Sequence, residues 1–342
     1  MMEGGGQVLR MAVTYSAVLG TPVRVYNIRT GRREPGLKPQ HLTTLEAVAE
    51  MCEAKTKGLN LGSKEVEIHP RAPRGGSYDI DIGTAGSISL MLQCLAPIAA
   101  FAASPSELTI RGGTNVRWSP PIMVLDNVIW EAFRTMGFEG SLSVRREGFY
   151  PRGGGIVEVE IRPVNGLTPL DARSSGEIRM VRGVSLCGRL PGHVAERQAR
   201  SAQAALEEGG FKSEITTMVS SGGKAPLSPG SAIGLWMDSY PRMFMGSSAL
   251  GERGKPAERV GEEAAISLVE QIGTYSAVDM YTADNLVLWC SLASGESVYS
   301  MSRKTLHTET AVEIARIFTE ADITLEERAD GTSLLRCRGI GL

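Results

Sequence analysis

The chain is poor in the residues that staple a fold or hold a metal. Its five cysteines, Cys52, Cys94, Cys187, Cys290 and Cys337, stand singly, with no paired spacing, each inside an apolar segment. This excludes a disulfide framework and a cysteine-based metal site, and leaves them as reduced core residues. The four histidines, His41, His69, His193 and His307, show no metal-ligand spacing either. Long apolar runs are missing: the longest, Leu90 to Ala103, is broken by Gln93 and Pro97 and falls short of the roughly 20 residues needed to span a bilayer. No membrane partner is expected, and without a signal peptide the cytoplasm is the expected compartment.

An excess of one charge is lacking too. Lys and Arg number 36 against 38 Asp and Glu, a net charge of −2, which argues against a broad, nonspecific nucleic-acid surface. Small local clusters remain, at Arg29, Arg32 and Arg33, at Arg71 and Arg74, and at Arg145, Arg146 and Arg152. Each is either a solvated face or a site for a few phosphates. RNA binding through so few cations would depend only modestly on salt.

Glycine is abundant, 40 residues, about 12% against a usual ~7%. It is used at fixed joints: Glu3-Gly4-Gly5-Gly6-Gln7 before an apolar helix carrying Arg10, Gly83-Thr84-Ala85-Gly86-Ser87 before the helix of Leu90 to Phe101, and Gly148-Phe149-Tyr150-Pro151-Arg152-Gly153-Gly154-Gly155 before a strand. Glycine lets backbone approach a ligand, and the N–H groups and positive dipole of a first helical turn suit a phosphate. Packing at a helix entry would use the same residues.

The length predicts two or three domains. A helix over 6–19, a strand over 22–29, a helix over 39–54 and strands near 58–61 and 65–70 form one unit. The pattern repeats with a strand over 77–82, a helix over 84–102, a strand over 107–111, a helix over 121–136 and strands over 140–147 and 155–162. This is an internal β-α-β-α-β-β repeat of about 75 to 90 residues, in which the first unit lacks its opening strand. A third round opens with a strand over 177–182 and is interrupted by a strand over 183–190, a helix over 193–209, three strands between 213 and 248 and a helix over 258–272. It resumes with a helix over 277–293, a strand over 296–301, a helix over 307–318 and strands over 321–328 and 332–338. The fold class is therefore α/β (α+β), three repeated units with a smaller α/β domain inserted in the third. The division is 1–182 for repeats one, two and the start of three, 183–273 for the insert and 274–342 for the remainder. The stretch Ser221 to Pro229 is the best loop candidate.

Three features carry chemistry. His307 opens an amphipathic helix after a strand, where a neutral imidazole can attack phosphorus or simply pack or cap the helix. Tyr281-Thr282-Ala283-Asp284-Asn285 is a polar island in an apolar helix, suited to a purine base or to an exposed helix face. Arg29-Thr30-Gly31-Arg32 with Pro35-Gly36-Leu37-Lys38-Pro39-Gln40-His41-Leu42 holds two arginines on a turn, able to clamp phosphate oxygens or to stand in solvent.

Taken together, the strings Glu3 to Arg10, Ile28 to Arg32 with Pro35-Gly36-Leu37 and Gln40-His41-Leu42, Gly83 to Ser87, Gly112-Gly113-Thr114, Gly148 to Pro151 with Gly153-Gly154-Gly155, and His193-Val194-Ala195-Glu196-Arg197 resemble, in order and over nearly the whole chain, the RNA 3′-terminal phosphate cyclase family. The resemblance implies three repeats like the C-terminal domain of translation initiation factor three, with a smaller domain in the last. It implies an enzyme of the ligase or nucleotidyl-transfer type: ATP adenylylates a histidine, AMP passes to an RNA 3′-phosphate, and the 2′-hydroxyl closes a 2′,3′-cyclic phosphate. Carried over by motif, His307 is the residue adenylylated. Gln93, Pro120 and Tyr281 to Asn285 (Thr282, Ala283 and Asp284 included) hold adenosine, with Tyr281 and Pro120 on opposite faces of the base. Arg10, Arg29, Arg32 and Gln40 serve the triphosphate or the RNA end, and Glu3 ligates Mg²⁺ or Mn²⁺.

The chain departs from the family pattern in three places. The strand and turn that precede the glycine run are missing, as from a misplaced start codon or a trimmed chain; Asn285 stands where Gln is usual; and Thr308-Glu309-Thr310-Ala311 replaces a segment that usually carries Asn. Two rivals are weighed. A non-catalytic cyclase-like ribosome-biogenesis factor would lack the histidine, and an enolpyruvyl transferase would need six units. The partner is an RNA 3′-phosphate end, and a homodimer is left open.

Overall fold

A computed structural model describes residues 5–342. Its elements follow the repeat. The first unit holds α1 (Gly6–Leu19), β1 (Val23–Tyr26), α2 (Pro39–Met51), β2 (Lys55–Lys57) and β3 (Glu65–His69). The second holds β4 (Gly76–Asp81), α3 (Ile88–Ala100) and β5 (Ser106–Gly112). A helical run follows, made of α4 (Ile122–Val124), a π-helical turn (Leu125–Ile129) and α5 (Trp130–Thr135), and then β6 (Glu139–Arg146) and β7 (Gly155–Arg162). After β8 (Asp171–Ala172) come β9 (Glu177–Gly188), α6 (His193–Glu208), β10 (Ser213–Ser220), β11 (Gly230–Tyr240), β12 (Gly246–Leu250) and α7 (Ala257–Ile272). The chain ends in α8 (Met280–Leu292), β13 (Ser294–Met301), α9 (Leu306–Phe318), β14 (Asp322–Glu327) and β15 (Ser333–Ile340).

Sheet topology makes the repetition explicit. The second unit's strands run β4-β5-β7-β6 and the third's β8-β13-β15-β14. In both, the first two strands are parallel and the other pairs antiparallel. The first unit's sheet, β1-β3-β2, is the same arrangement without its opening strand among the described residues. The parallel pair of the second unit is crossed by α3, as a parallel connection requires, and that of the third by the inserted segment together with α8.

The boundaries differ from the sequence reading where a local device was overlooked. The strands expected over 177–182 and 183–190 are one continuous strand, β9, paired parallel with β10 and antiparallel with β11. It therefore belongs to the inserted sheet, and the third unit opens instead with the two-residue β8, whose partner is β13. The strand expected near 58–61 lies earlier, at β2, because Gly58 turns the chain at φ +73°. Helix α3 begins at Ile88 because Ser87 caps it, its Oγ accepting from the Leu90 N–H. Helix α8 begins at Met280 because Asp279 caps it in the same way.

The three units close on one another through aromatic contacts. Tyr15 of α1 stacks on Phe318 of α9 at 5.4 Å and shares a hydrogen bond with Ser291. Phe133 of α5 stacks on Trp289 of α8 at 4.4 Å, and Phe138 meets Trp289 edge-on. Such pairs add about 0.5–1.5 kcal/mol each beyond their buried area. The units share one apolar core, and the inserted sheet has a smaller one with α6 and α7. All five cysteines are free and buried, and burial pushes Cys94 and Cys52 up to about 11 and about 12, away from thiolate chemistry. Among the described residues no helix is long and apolar enough to cross a membrane.

Candidate active site

Three helix N-termini meet at one cleft. Residues of α1 (Gln7, Arg10), of α8 (Tyr281, Thr282, Asp284, Asn285) and of α9 (His307) line it, with Leu90 and Gln93 of α3 and Trp118 to Pro120 from the loop after β5. The inserted sheet closes the far side with Gly246, Ser247 and Ser248 of β12 and Ser267 of α7. The space measures about 530 Å³, within the range of sites for a nucleotide-sized ligand. Aligned first-turn N–H groups give such a meeting point a positive potential suited to phosphate.

His307 is the second residue of α9, one position after Leu306, and the helix is fixed by Thr305, whose hydroxyl accepts from the Thr308 N–H at 3.1 Å. The imidazole itself is exposed and held by Gln7. The Gln7 amide nitrogen donates to the backbone carbonyl of His307 at 3.0 Å, and its oxygen faces the ring Nδ1 at 2.6 Å. The first bond orients the amide, so the second partner of Nδ1 is an acceptor, and Nδ1 carries the proton of the neutral ring. In that tautomer the nucleophilic lone pair is on Nε2.

The α8 end of the cleft is set by Asp279, buried, whose carboxylate accepts from the N–H groups of Tyr281 and Thr282, the Thr282 hydroxyl and, across to β12, the N–H of Gly246. Burial nevertheless raises it to about 6. Asp284, half-buried, is pushed up to about 7, chiefly by desolvation and next by the Asp279 charge, with Arg10 opposing. Asn285 donates to the Tyr281 carbonyl and to Asp284.

Arg10 lies against Gly6, where any side chain would strike His41 Nε2. His41 is held down at about 4, first by burial and then by the charges of Arg10, Arg29 and Lys38. It stays neutral, its Nδ1 accepting from the Lys38 N–H at the start of α2. Arg10, Arg29 and Lys38 thus share one positive neighbourhood around His41 beside the α1 terminus.

Of the residues singled out from the sequence, Arg10, Gln93, Pro120, Tyr281, Thr282, Asp284, Asn285 and His307 line the one cleft. Others are not brought into it. Ala283 is buried and its carbonyl accepts from the Tyr299 hydroxyl, so it faces the core. Gln40 is engaged by the N–H of Ser87, joining α2 to the start of α3. Arg29, at φ +54°, donates to the Glu34 and Gly36 carbonyls and so holds its own turn together; Arg32 is exposed on that turn. Glu3 lies outside the described residues. Among those that are described, no group of three or more His, Cys, Asp and Glu is placed to hold a metal. The clusters at Arg71, Arg74 and Arg145 are engaged with Glu53 and Glu158 on the surface.

Sequence reasoning missed Gln7 as the partner of the histidine, although the residue closes the first glycine run. It missed Asp279, which a helix-start rule finds as the Asp ahead of an apolar run. It also missed Trp118, whose signal is conformational: φ is +61° and the residue is 92% exposed. A bulky residue in the left-handed region costs about 1–3 kcal/mol and marks a place where the surroundings impose the backbone.

The family model described as RNA 3′-terminal phosphate cyclase matches residues 1–325. Proteins named RNA 3′-terminal phosphate cyclase are similar over almost the entire length. That of Methanopyrus kandleri is 43% identical over 341 residues, 99% of this chain and 97% of the relative, and that of Desulfurococcus amylolyticus 44% identical over 344 residues, 99% and 96%. That of Archaeoglobus fulgidus is 44% identical over 316 residues, 92% and 93%. With a cleft built around a clamped histidine and a match of this extent, the chain belongs to the RNA 3′-terminal phosphate cyclase family.

Proposed function

We propose that this protein uses ATP to convert an RNA 3′-phosphate end into a 2′,3′-cyclic phosphate through a histidyl-AMP intermediate. The observation that carries the reading is the Gln7–His307 pair, an exposed imidazole fixed in one tautomer inside a nucleotide-sized cleft. His307 Nε2 attacks the α-phosphorus of ATP, the bond to pyrophosphate breaks, and pyrophosphate leaves. An oxygen of the RNA 3′-phosphate then attacks the adenylyl phosphorus and releases the histidine. Finally the neighbouring 2′-hydroxyl attacks the 3′-phosphorus, expelling AMP.

Within this scheme Pro120 and Tyr281 take the two faces of the adenine, and Gln93, Thr282, Asp284 and Asn285 fix the nucleoside by its polar edges. Ala283 contributes backbone alone. Arg10, beside the α1 terminus, stabilises charge on the transferring phosphate, while Arg29 and Arg32 on the adjoining turn, with Gln40 at the start of α2, serve the triphosphate or the RNA end. A divalent ion, Mg²⁺ or Mn²⁺, would accompany the triphosphate with Glu3 as its protein ligand, a hard oxygen donor; no step above is routed through it. The working compartment on this reading is the cytoplasm.

The test is chemical. RNA ending in a 3′-phosphate, incubated with ATP and the protein, should acquire a phosphatase-resistant end and yield one AMP per end converted. An end that stays fully sensitive to phosphatase contradicts the proposal.

A further inference from the structure

Trp118 stands apart from the residues assigned above. It lines the same cleft as His307 and Tyr281, yet the residue is 92% exposed, so it forms the outer lip and not the wall. The loop that carries it is anchored on every side. The Ile122 N–H donates to the Thr114 carbonyl at 2.9 Å and closes the loop, and the Ser119 hydroxyl donates to the Val116 carbonyl. Beneath, buried Glu147 accepts from the Thr114 hydroxyl and the Asn115 amide, and the N–H groups of Thr114 and Asn115 both reach the Gly148 carbonyl. Arg117, next to the tryptophan, pairs with Glu252 just after β12. An anchored loop that forces an indole to a positive φ and into water presents a flat apolar face to whatever enters the cleft.

Resting on the function proposed above, we propose that Trp118 is the stacking platform for an unpaired base in the last two nucleotides of the RNA substrate. Three observations select RNA over the nucleotide cofactor. Of the adenosine-side residues Gln93 and Pro120 are half-buried and Tyr281 is 60% exposed, whereas Trp118, at 92%, is at the outer edge, where an occupant must itself extend into solvent, as a polymer leaving the cleft does. The neighbouring Arg117 is already paired with Glu252, so the lip offers a π-face more than a phosphate contact. The chain's net charge of −2 leaves little general electrostatic capture, and stacking supplies affinity that tolerates any base. The substrate class is therefore RNA with a single-stranded 3′ end; a blunt, base-paired end cannot offer its base to the indole.

The four tryptophans provide the readout. Trp130 and Trp289 are buried and Trp236 is half-buried, so Trp118 dominates the emission that a soluble quencher reaches. Binding of a 3′-phosphate oligonucleotide should quench that emission and shield it from acrylamide. An oligonucleotide abasic at both of its last two positions, or one with a paired end, should do neither, and the signal should be absent in Trp118→Phe. In catalysis, Trp118→Ala should raise KM for RNA about tenfold, the equivalent of one lost stack, with Trp118→Phe restoring most of it and KM for ATP changing far less. Quenching by ATP alone with none on adding RNA, or equal KM values for intact and abasic RNA, overturns the assignment. Absence of histidine adenylylation in the wild-type protein would overturn the enzymatic reading itself, and RNA-dependent quenching would still be readable in that case.

Discussion

Gln7 grips His307 at two points, donating to its backbone carbonyl and accepting from its ring, across 300 residues of sequence. The pair joins the first repeat to the third at the atoms where the chemistry is placed. It also chooses the nucleophilic nitrogen, because a neutral imidazole with its proton on Nδ1 presents its lone pair on Nε2.

Removing that grip should slow the first half-reaction. Gln7→Ala deletes the acceptor that fixes the tautomer and the ring plane, and adenylylation of His307 should fall by at least about tenfold, or 1.4 kcal/mol of barrier. Gln7→Glu, which keeps an acceptor at Nδ1, should retain more activity than the alanine variant. Single-turnover labelling at saturating ATP measures this, and wild-type rates in both variants would refute the role.

Asp279 should matter for stability. It caps α8 and binds β12 through Gly246. Asp279→Ala loses a cap worth about 0.5–2 kcal/mol and strands buried donors at about 1–3 kcal/mol. Urea unfolding should therefore show a loss of about 1.5–5 kcal/mol in total, with Asp279→Asn in between. A change below 1 kcal/mol, on the order of a surface substitution, would contradict the account.

Asp284 gives a pH signature. The folded protein holds its proton up to about pH 7, well above the roughly 3.9 of an unburied aspartate. The folded state thus binds the extra proton, and its stability falls as pH rises from about 4 to about 7, then levels off. Asp284→Asn mimics the protonated form. Its melting temperature should match wild type near pH 4 and exceed it at pH 8, and a difference that does not vary with pH would be inconsistent with the desolvated carboxyl.

Much of this was legible in the sequence, for a physical reason. Period-two and period-3.6 patterns are written in side chains, so the β-α-β-α-β-β repeat can be read in units two and three, and Arg10, Gln93, Tyr281 and His307, which the resemblance assigns, line one cleft. What escaped was set by backbone and long-range contact. Two residues of β8 carry no pattern, so the first half of β9, over 177–182, reads as the opening strand of the third unit. Arg29 and Gln40 read as phosphate ligands because their types suit phosphate, yet their bonds go to the protein's own carbonyls and N–H groups. Trp118 is marked by a φ angle that no composition reveals.

The central claim is that His307 is the nucleophile that takes AMP. The most direct measurement incubates the protein with α-labelled ATP and Mg²⁺ or Mn²⁺, beside His307→Ala, and treats the labelled band with acid and with alkali. The account predicts a protein-bound label that is acid-labile, alkali-stable and absent from the variant, as a phosphoramidate requires. No label on the wild-type chain, or equal label on His307→Ala, would contradict it and return the protein to the non-catalytic reading.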